Sequence, residues 1–327
     1  MTIDFETLTA NLTSVSILVF ALGFVAAQFS ANLRLPPQVY DAFTLFFLVA
    51  IGLKGGVALT ENWSTAMILP IVVTIALGAL IPFAAYGVLG AISNIDRLNR
   101  GSIAAHYGST SLVTFTAALY FLDSRALQYE GYLTSLLVVL EIPGIIVGIS
   151  LALRSKSPAK SASKFSKAVH EVFTGKTVFV LVGATIIGAL AGSRGYAPVE
   201  PFFSGLLPGL LALFLLHLGH VAGSHLADLR KAGFGLFAFG VFFPLTVGLI
   251  GVVVGSVIGL TPGGATVLAT LVASASYIAA PAAVSIALPK ANLSLAIAPS
   301  IGVTFPFNLT VGIPVYFLAA TWLSSVV

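Results

Sequence analysis

The stretch HYGSTSLVTFTAAL, residues 106–119, and the stretch LVASASYIAAPAAV, residues 271–284, decide how this chain folds. Each belongs to a longer apolar run, 101–122 or 264–288, that is interrupted near its middle by small hydroxyl residues. Such a cluster lets an apolar helix break and aim its freed backbone groups at a ligand. Aligned, the two stretches match Ser109 with Ser274 and Ser111 with Ser276. The recurrence predicts two equivalent halves, each with one broken helix.

Composition places the chain in a membrane. Of its 327 residues 58% are apolar and only 8% are charged, whereas a soluble domain carries roughly 25% charged residues. The mean hydropathy is +1.06. These values exclude soluble enzymes, nucleic-acid binders and disordered scaffolds. The chain has no Cys, which excludes disulfides and thiolate metal sites.

The apolar runs are long and do not alternate, which predicts spanning helices and excludes barrel strands. The fold is therefore expected to be an all-α integral membrane protein with ten transmembrane helices. The predicted spans are residues 14–31, 38–60, 64–93, 101–122, 131–153, 175–193, 201–225, 234–260, 264–288 and 291–325.

One long polar segment, RSKSPAKSASKFSKAVHEVFTGK at 154–176, divides the spans into two sets of five. An odd number per set gives the halves opposite orientations, and inverted repeats of this kind are typical of secondary transporters. Two further pairs of stretches align in chain order: 45–59 with 212–226, and 140–148 with 303–311. The predicted division is 1–154 for the first repeat, 155–174 for a cytoplasmic linker and 175–327 for the second repeat. Ser, Ala and Pro between the lysines of the linker offer little apolar surface to bury.

Lys and Arg are concentrated in alternate gaps between the spans, which predicts the orientation. The acidic N-terminus, MTIDFETLTANLT, lacks the basic region of a signal peptide, so the first apolar stretch is expected to be retained. The basic side is expected to face the cytoplasm, with both termini outside a cytoplasmic membrane. The basic gaps contain Arg34, Arg97, Arg100, Arg154, Lys156, Lys160, Lys164, Lys167, Lys176, Arg230, Lys231 and Lys290, and the opposite gaps contain Arg125 and Arg194.

The clusters GSTS (108–111) and ASAS (273–276) are the predicted binding site. A helix N-terminus created by a break presents N–H groups and a partial positive charge to an anion. Unwound carbonyls and hydroxyls suit Na⁺. Pro281 removes one helical donor and favours a break after Ser276. Close packing of small residues explains either cluster taken alone, but their occurrence at equivalent positions favours a site. The predicted substrate-binding residues are Gly108, Ser109, Thr110, Ser111, Ser274, Ala275 and Ser276.

Glu141 is the one acidic residue deep within a predicted span, so its carboxylate must face a cavity, pair with a cation or take up a proton. A structural ion pair with Lys54 is the alternative to a role at the cation site. For Lys54 itself, flanked by glycines, the alternatives are pairing with Glu141, attraction of an anion, and snorkelling to the membrane surface. Thr304 and Asn308, in the counterpart region of the second half, are expected to supply oxygens. The predicted sodium-binding residues are Ser109, Ser111, Glu141, Ser274, Ser276, Thr304 and Asn308.

Histidines and enzyme motifs add little. His217, His220 and His225 share one span without an adjacent carboxylate, which is weak as a metal site and more typical of a polar helix interface, with a proton-sensing role as the lesser alternative. His106 is expected to support the GSTS cluster by hydrogen bonding.

The sequence has no GxSxG, HExxH or phosphate-cradling motif. We therefore expect no enzymatic activity, and any uphill transport must use an ion gradient.

Four segments closely resemble the sodium-dependent bicarbonate transporter family of cyanobacteria and other bacteria: RGSIAAHYGSTSLVTFTAALYFLDSR (100–125), YEGYLTSLLVVLEIPG (129–144), LVASASYIAAPAAVSIALPKANLSL (271–295) and IGVTFPFNLTVGIPVY (301–316). The resemblance implies a core domain from spans 3–5 and 8–10, with two crossing broken helices, and a gate domain from spans 1, 2, 6 and 7. It also implies elevator-like transport by a homotrimer and a PII-like regulatory partner at the cytoplasmic face. The family's substrate site maps onto Ser109, Thr110, Ser111, Ser274, Ala275 and Ser276.

The leading prediction is a Na⁺-dependent symporter that imports bicarbonate. Bicarbonate has one O–H donor and several acceptor positions, which suits backbone N–H groups and hydroxyls. The alternatives are a Na⁺- or H⁺-coupled transporter of another small anion such as an organic acid, a Na⁺/H⁺ exchanger, a channel, or a membrane anion sensor that does not transport.

Overall fold

The structure is a computed structural model that describes residues 11–29, 31, 33–61, 64–153, 158–226 and 233–326. The fold is all-helical, with 83% helix and no strand among these residues. Long apolar runs can satisfy their backbone groups in a membrane only by forming helices. The prediction of an all-helical membrane protein is confirmed.

The helices are numbered in chain order. A 3₁₀ turn at Thr65–Met67 precedes α3, and α14 contains π-helical turns at Ser300–Thr304 and Asn308–Gly312. The helices are α1 Val15–Gln28, α2 Pro37–Glu61, α3 Ile68–Ile92, α4 Arg97–Gly108, α5 Leu112–Asp123, α6 Leu133–Leu153, α7 Pro158–Thr174, α8 Lys176–Tyr196, α9 Glu200–Phe203, α10 Leu207–Ser224, α11 Phe234–Val257, α12 Pro262–Ala273, α13 Ala279–Ala287 and α14 Ser294–Ser324.

Within the described part of the chain, seven helices are long and apolar enough to cross a membrane. Two shorter helices, α1 and α12, are also apolar. The predicted fourth and ninth spans each contain two short helices, α4 with α5 and α12 with α13, and therefore do not add to the seven. The count of ten spans stays a prediction. The seven are Pro37–Glu61, Thr65–Ile92, Leu133–Leu153, Ala162–Tyr196, Glu200–Ser224, Phe234–Val257 and Ser294–Ser324.

Two helix pairs cross in the same manner: α2 packs on α8, and α1 packs on α10. Gly56 on α2 leaves no room for a Cβ against the Thr185 carbonyl of α8, and Gly219 on α10 leaves none against the Phe20 carbonyl of α1. Small residues let membrane helices approach to backbone contact where apolar burial alone gives no driving force. The glycines that align between the two halves of the sequence therefore make corresponding helix crossings.

The remaining long helices pack around α4, α5 and α12, which are almost entirely buried. The crossing of α4 with α6 is close, because Gly148 meets the backbone of Ala105 and Gly144 meets the Gly108 carbonyl. Glu141 precedes Gly144 by about one turn of α6. The crossing thus sets the Glu141 carboxylate beside the end of α4.

The middle segment differs from the prediction. Residues 158–174 form helix α7, and its Ala168 and Val172 are buried against Ala283 and Val284 of α13. Apolar residues spaced four apart form one helical face, which a count of lysines and serines does not reveal. Lys164 and Lys167 are exposed. Arg154, Lys156, Arg230, Lys231 and the side chain of Lys160 lie outside the described residues.

Candidate functional site

The first polar cluster connects α4 to α5. Helix α4 ends at Gly108, and the chain is extended at Ser109 (φ −95°, ψ 179°) and at Ser111 (φ −106°, ψ 115°). Ser111 is the N-cap of α5, since its Oγ accepts hydrogen bonds from the Thr114 backbone N (3.2 Å) and from Thr114 Oγ1 (2.9 Å). Ser is a preferred N-cap because its oxygen satisfies a free N–H of the first turn. The sequence thus ends one helix and starts the next within three residues.

The second polar cluster connects α12 to α13. Helix α12 ends at Ala273, and residues 274–278 are not helical. Ser276 Oγ accepts from the Ala280 backbone N at 3.2 Å, and the Ser276 backbone N donates to the His106 carbonyl of α4 at 2.8 Å. Pro281 lies in the first turn of α13, where its missing N–H costs nothing.

The two connections contact each other through Ser274. Its Oγ accepts from the Ser111 backbone N at 2.9 Å and lies 3.0 Å from Thr110 Oγ1. It also donates to the Leu271 carbonyl at 2.9 Å. The end of α12 therefore lies against the start of α5, and the second connection also contacts the end of α4 through Ser276.

Ser109 and Ser274 align in the sequence but have different surroundings. Both are 1% exposed. Ser274 Oγ has three protein contacts, whereas Ser109 Oγ has none. A buried hydroxyl without a partner costs about 1–3 kcal/mol, and Ser109 does not line the small cavity described below. Of the other predicted residues, Gly108 and Ala275 are buried and bring only backbone groups.

Residues from both connections line one small cavity. Its volume is about 10 Å³, which is room for about one water molecule. Glu141 lines the cavity and is 2% exposed, and its Oε2 has no hydrogen-bond partner. The structure thus brings a carboxylate to the hydroxyls of both clusters. The lining residues are Thr110, Ser111, Leu112, Leu137, Glu141, Thr177, Ser276, Tyr277 and Ile278.

Thr304 and Asn308 are buried beside the crossing but do not line this cavity. Thr304 Oγ1 donates to the Gly240 carbonyl at 2.7 Å and lies 2.8 Å from Tyr107 Oη. Asn308 Nδ2 donates to the Ala273 carbonyl at 2.8 Å, at the end of α12, and its Oδ1 accepts from Tyr316. Asn308 therefore holds the end of α12, where the second connection begins, and Thr304 holds α14 against α11 and α4.

Two larger cavities lie on either side of the small one. The first, of about 200 Å³, shares Thr177 and Ile278 with it and contains Lys176. The second, of about 310 Å³, contains Lys54 and Thr134. Thr134 and Glu141 share one face of α6, because they are seven residues, or two helical turns, apart. The candidate site is thus a narrow point between two vestibules.

Lys54 does not pair with Glu141, which corrects the alternative considered for these two residues. Its Nζ lies 3.5 Å from Asp123 Oδ2 and donates to Tyr129 Oη at 3.2 Å. Tyr129 donates in turn to Asp123 Oδ1 at 3.0 Å. Burial raises the pKa of the Tyr129 hydroxyl, although Lys54 lowers it, so Tyr129 remains a donor. Glu141 is left with no cation partner among the described residues.

His217 and His106 are buried between helices in the described structure. His217 accepts from the Leu35 backbone N at 2.9 Å and contacts the ring of Tyr40. His106 Nδ1 lies 2.7 Å from the Ser102 carbonyl. The described residues contain no group of three His, Asp or Glu that could hold a metal ion.

Two polar residues of the cavity, Tyr277 and Thr177, were not predicted from the sequence. Tyr277 accepts a hydrogen bond from Ser111 Oγ at 3.1 Å, and its place directly after ASAS is a signal that could have found it. Thr177 comes from α8, in a different part of the fold, and nothing in its own sequence neighbourhood points to the site.

A family model matches residues 16–321, almost the whole chain, and describes the Na⁺-dependent bicarbonate transporter superfamily. The chain belongs to that superfamily. The resemblance found in the four sequence segments is confirmed. Membership makes the protein a multi-pass membrane transporter and not an enzyme. No curated protein matches the chain.

Proposed function

We propose that this superfamily member is a symporter that imports bicarbonate together with Na⁺ across the cytoplasmic membrane. The observation that carries the proposal is the small cavity where Thr110, Ser111 and Ser276 meet the unpartnered carboxylate of Glu141. Hydroxyls and helix N-termini attract an anion, and a buried carboxylate attracts a cation. The same site can therefore attract both the anion and the cation of a coupled transport cycle.

The anion is expected at the starts of α5 and α13. The partial positive charge of each N-terminus points to the crossing, and the unpartnered hydroxyl of Ser109 lies in the first connection. Bicarbonate is small and mixes one donor with several acceptors, which suits this set. The proposed substrate-binding residues are Gly108, Ser109, Thr110, Ser111, Ser274, Ala275 and Ser276.

Sodium is expected beside Glu141. An ionised carboxylate buried without a partner is unfavourable by several kcal/mol, and a bound Na⁺ removes that cost. Nearby hydroxyl and carbonyl oxygens match the preference of Na⁺ for oxygen ligands. The proposed sodium-binding residues are Ser109, Ser111, Glu141, Ser274, Ser276, Thr304 and Asn308, of which Thr304 and Asn308 lie outside the small cavity.

We infer an elevator-like mechanism with two bodies built from inverted repeats. The gate consists of α1, α2 and α8–α10, and the core consists of α3–α6 and α11–α14. The matching glycine crossings of α2 with α8 and of α1 with α10 support a two-fold relation between the halves. Thr177 belongs to the gate, while Glu141 and Ser276 belong to the core, so movement of the core past the gate would expose the site to each vestibule in turn.

The narrowness of the site supports alternating access over an open channel. The small cavity has room for about one water molecule, and bicarbonate is larger than water. Buried Leu112 and Leu137 lie on the cavity wall, and Thr177 and Ile278 separate it from the vestibule of Lys176. An anion therefore needs a conformational change to enter or to leave.

The lipid-facing surface and the assembly complete the proposal. Leu190 and Phe179 on α8 are 84% and 70% exposed, as expected for residues in contact with lipid.

For the orientation, we propose that the basic end lies in the cytoplasm and that both termini lie outside. Following the family resemblance, we propose a homotrimer and a PII-like regulatory partner at the cytoplasmic face.

Uptake of labelled bicarbonate into vesicles tests the proposal. Uptake should require an inward Na⁺ gradient and should persist when a proton gradient is collapsed. Uptake driven by a pH gradient, or competed fully by small organic acids, would favour the second candidate, an anion symporter of different coupling or substrate. Binding without uptake would favour a sensor.

A further inference from the structure

The larger of the two vestibules contains a charged side chain that does not belong to the proposed binding site. Lys54 extends from α2 into the cavity of about 310 Å³. Lys54 and Asp123 are the charged members of its described lining. Lys54 is attached to the gate, and Asp123 ends α5 of the core.

The pairing of these two residues is loose. The Nζ to Oδ2 distance of 3.5 Å is longer than that of a strong charge-assisted hydrogen bond. The two side chains are 46% and 49% exposed, and exposed ion pairs are screened and contribute little stability. An anion entering the vestibule can therefore compete with Asp123 for the ammonium group.

Lys54 is also the group of this vestibule best able to donate to an oxyanion. An ammonium group has three N–H donors, and Asp123 and Tyr129 are its two partners among the described residues. The hydroxyls of Thr116 and Thr134 give their protons to backbone carbonyls, which leaves them as acceptors. An anion that reaches this cavity will accept from Lys54.

The vestibule leads toward the small cavity. Thr116 and Asp123 lie on one face of α5, seven residues apart, and the start of that helix is the first connection. On α6, Thr134 lines the vestibule, and Leu137 and Glu141 line the small cavity on the same face. An anion held at Lys54, beside Asp123 at the end of α5, is therefore about three turns of that helix from Ser111.

We propose that Lys54 is a capture site for a small monovalent oxyanion, occupied before the anion reaches the helix connections, with Asp123 as the competing ligand of its ammonium group. The site is expected to be weak and selective for charge, because an exposed ammonium group attracts anions without shape recognition. The positive charge of Lys54 raises the local anion concentration in this vestibule. This inference rests on the proposed function and adds to it an entrance site on the route.

The test compares Lys54→Gln with Asp123→Asn in vesicle uptake of labelled bicarbonate at fixed Na⁺. Lys54→Gln should raise the half-saturating external bicarbonate concentration by up to about 10-fold, the lower end of the steering effects of charge in a cleft. Asp123→Asn should lower it, because the ammonium group loses its competitor. The difference between Lys54→Gln and the unmodified chain should shrink when choline chloride raises the ionic strength.

Opposite signs for the two variants separate capture from a simple latch between gate and core. A latch predicts that both variants shift the half-saturating concentration in the same direction, and that result would overturn the proposal. Arg125→Gln is the matched control, because it removes one cation near the same helix end but outside this cavity. An equal effect of that variant would reduce the role of Lys54 to general surface charge.

The side chains of Lys54 and Asp123 are both about half exposed, so the two variants are expected to fold. Loss of Na⁺-dependent uptake by the unmodified chain would instead contradict the proposed function.

Discussion

At the scale of single residues, Ser109 and Ser274 show how equal positions in a repeat receive different tasks. Ser274 holds the two connections together through the Ser111 backbone N and Thr110. Ser109 Oγ has no protein partner. The Ser274 hydroxyl therefore stabilises the contact between the two connections, whereas the Ser109 hydroxyl makes no hydrogen bond within the described protein.

We therefore expect Ser109→Ala and Ser274→Ala to differ. Ser109→Ala should retain its thermal stability but lose about 1–3 kcal/mol of anion binding, or roughly 5- to 150-fold in affinity. Ser274→Ala should lower the melting temperature, because the Ser111 N–H loses its acceptor in a buried place. Uptake kinetics and thermal unfolding of the purified variants measure both effects. Normal half-saturation in Ser109→Ala would leave packing as the role of that serine.

Glu141 should behave as a cation ligand and not as half of an ion pair. Glu141→Gln should fold, and the Na⁺ concentration for half-maximal uptake should rise about tenfold, which corresponds to about 1.4 kcal/mol. NaCl should raise the melting temperature of the unmodified chain more than choline chloride does, since a ligand that binds the folded state stabilises it. The variant should lose that difference.

The matching test of the ion-pair alternative adds Lys54→Met to Glu141→Gln. Lys54 is bound to Asp123 and Tyr129, so the second change should not recover any folded protein lost by the first. A clear recovery would restore the direct pairing of Glu141 with Lys54.

At the scale of helices, the glycine crossings determine how closely α2 and α8 approach. Gly56 contacts the backbone of Thr185 and Ala189, with no space for a methyl group. Gly183 on α8 has open space where its Cβ would lie. The same residue type is therefore required at one position and replaceable at the other.

Gly56→Ala should destabilise the protein by about 1–3 kcal/mol, the usual cost of overpacking. Gly183→Ala is the control and should be neutral or slightly stabilising, because Ala favours the helix over Gly. Thermal unfolding in detergent compares them. Equal melting temperatures would contradict the close crossing of α2 with α8.

At the scale of the whole molecule, the proposed movement of core against gate can be blocked by a cross-link. Thr177 of α8 and Ile278, between α12 and α13, line the same two cavities from the two proposed bodies. The chain has no Cys, so introduced cysteines react alone. Thr177→Cys with Ile278→Cys, joined by a short thiol-specific cross-linker, should stop uptake, and reduction of the link should restore it.

The single-cysteine variants treated with the same reagent are the controls and should keep transporting. Full uptake by quantitatively cross-linked double variant would mean that the two bodies do not move past each other during transport.

Hydropathy and local chemistry determined much of this protein before any contact was known. Long apolar runs permit only helices in a membrane, so the bounds of α3, α6 and α11 lie close to the predicted spans. Ser111 starts α5 by capping it, which depends on its immediate neighbours alone. The family was recognisable for the same reason, because its motifs are continuous in sequence.

Tertiary structure alone decided which groups meet. Lys54 and Glu141 are both charged groups in predicted spans, and only the packing of the helices sends Lys54 to Asp123 and leaves Glu141 unpartnered. Thr177 enters the cavity from a distant helix, and α7 buries Ala168 and Val172 although its composition is polar. Contacts between residues far apart in the chain depend on how whole helices cross, and a local pattern of residues carries no record of that crossing.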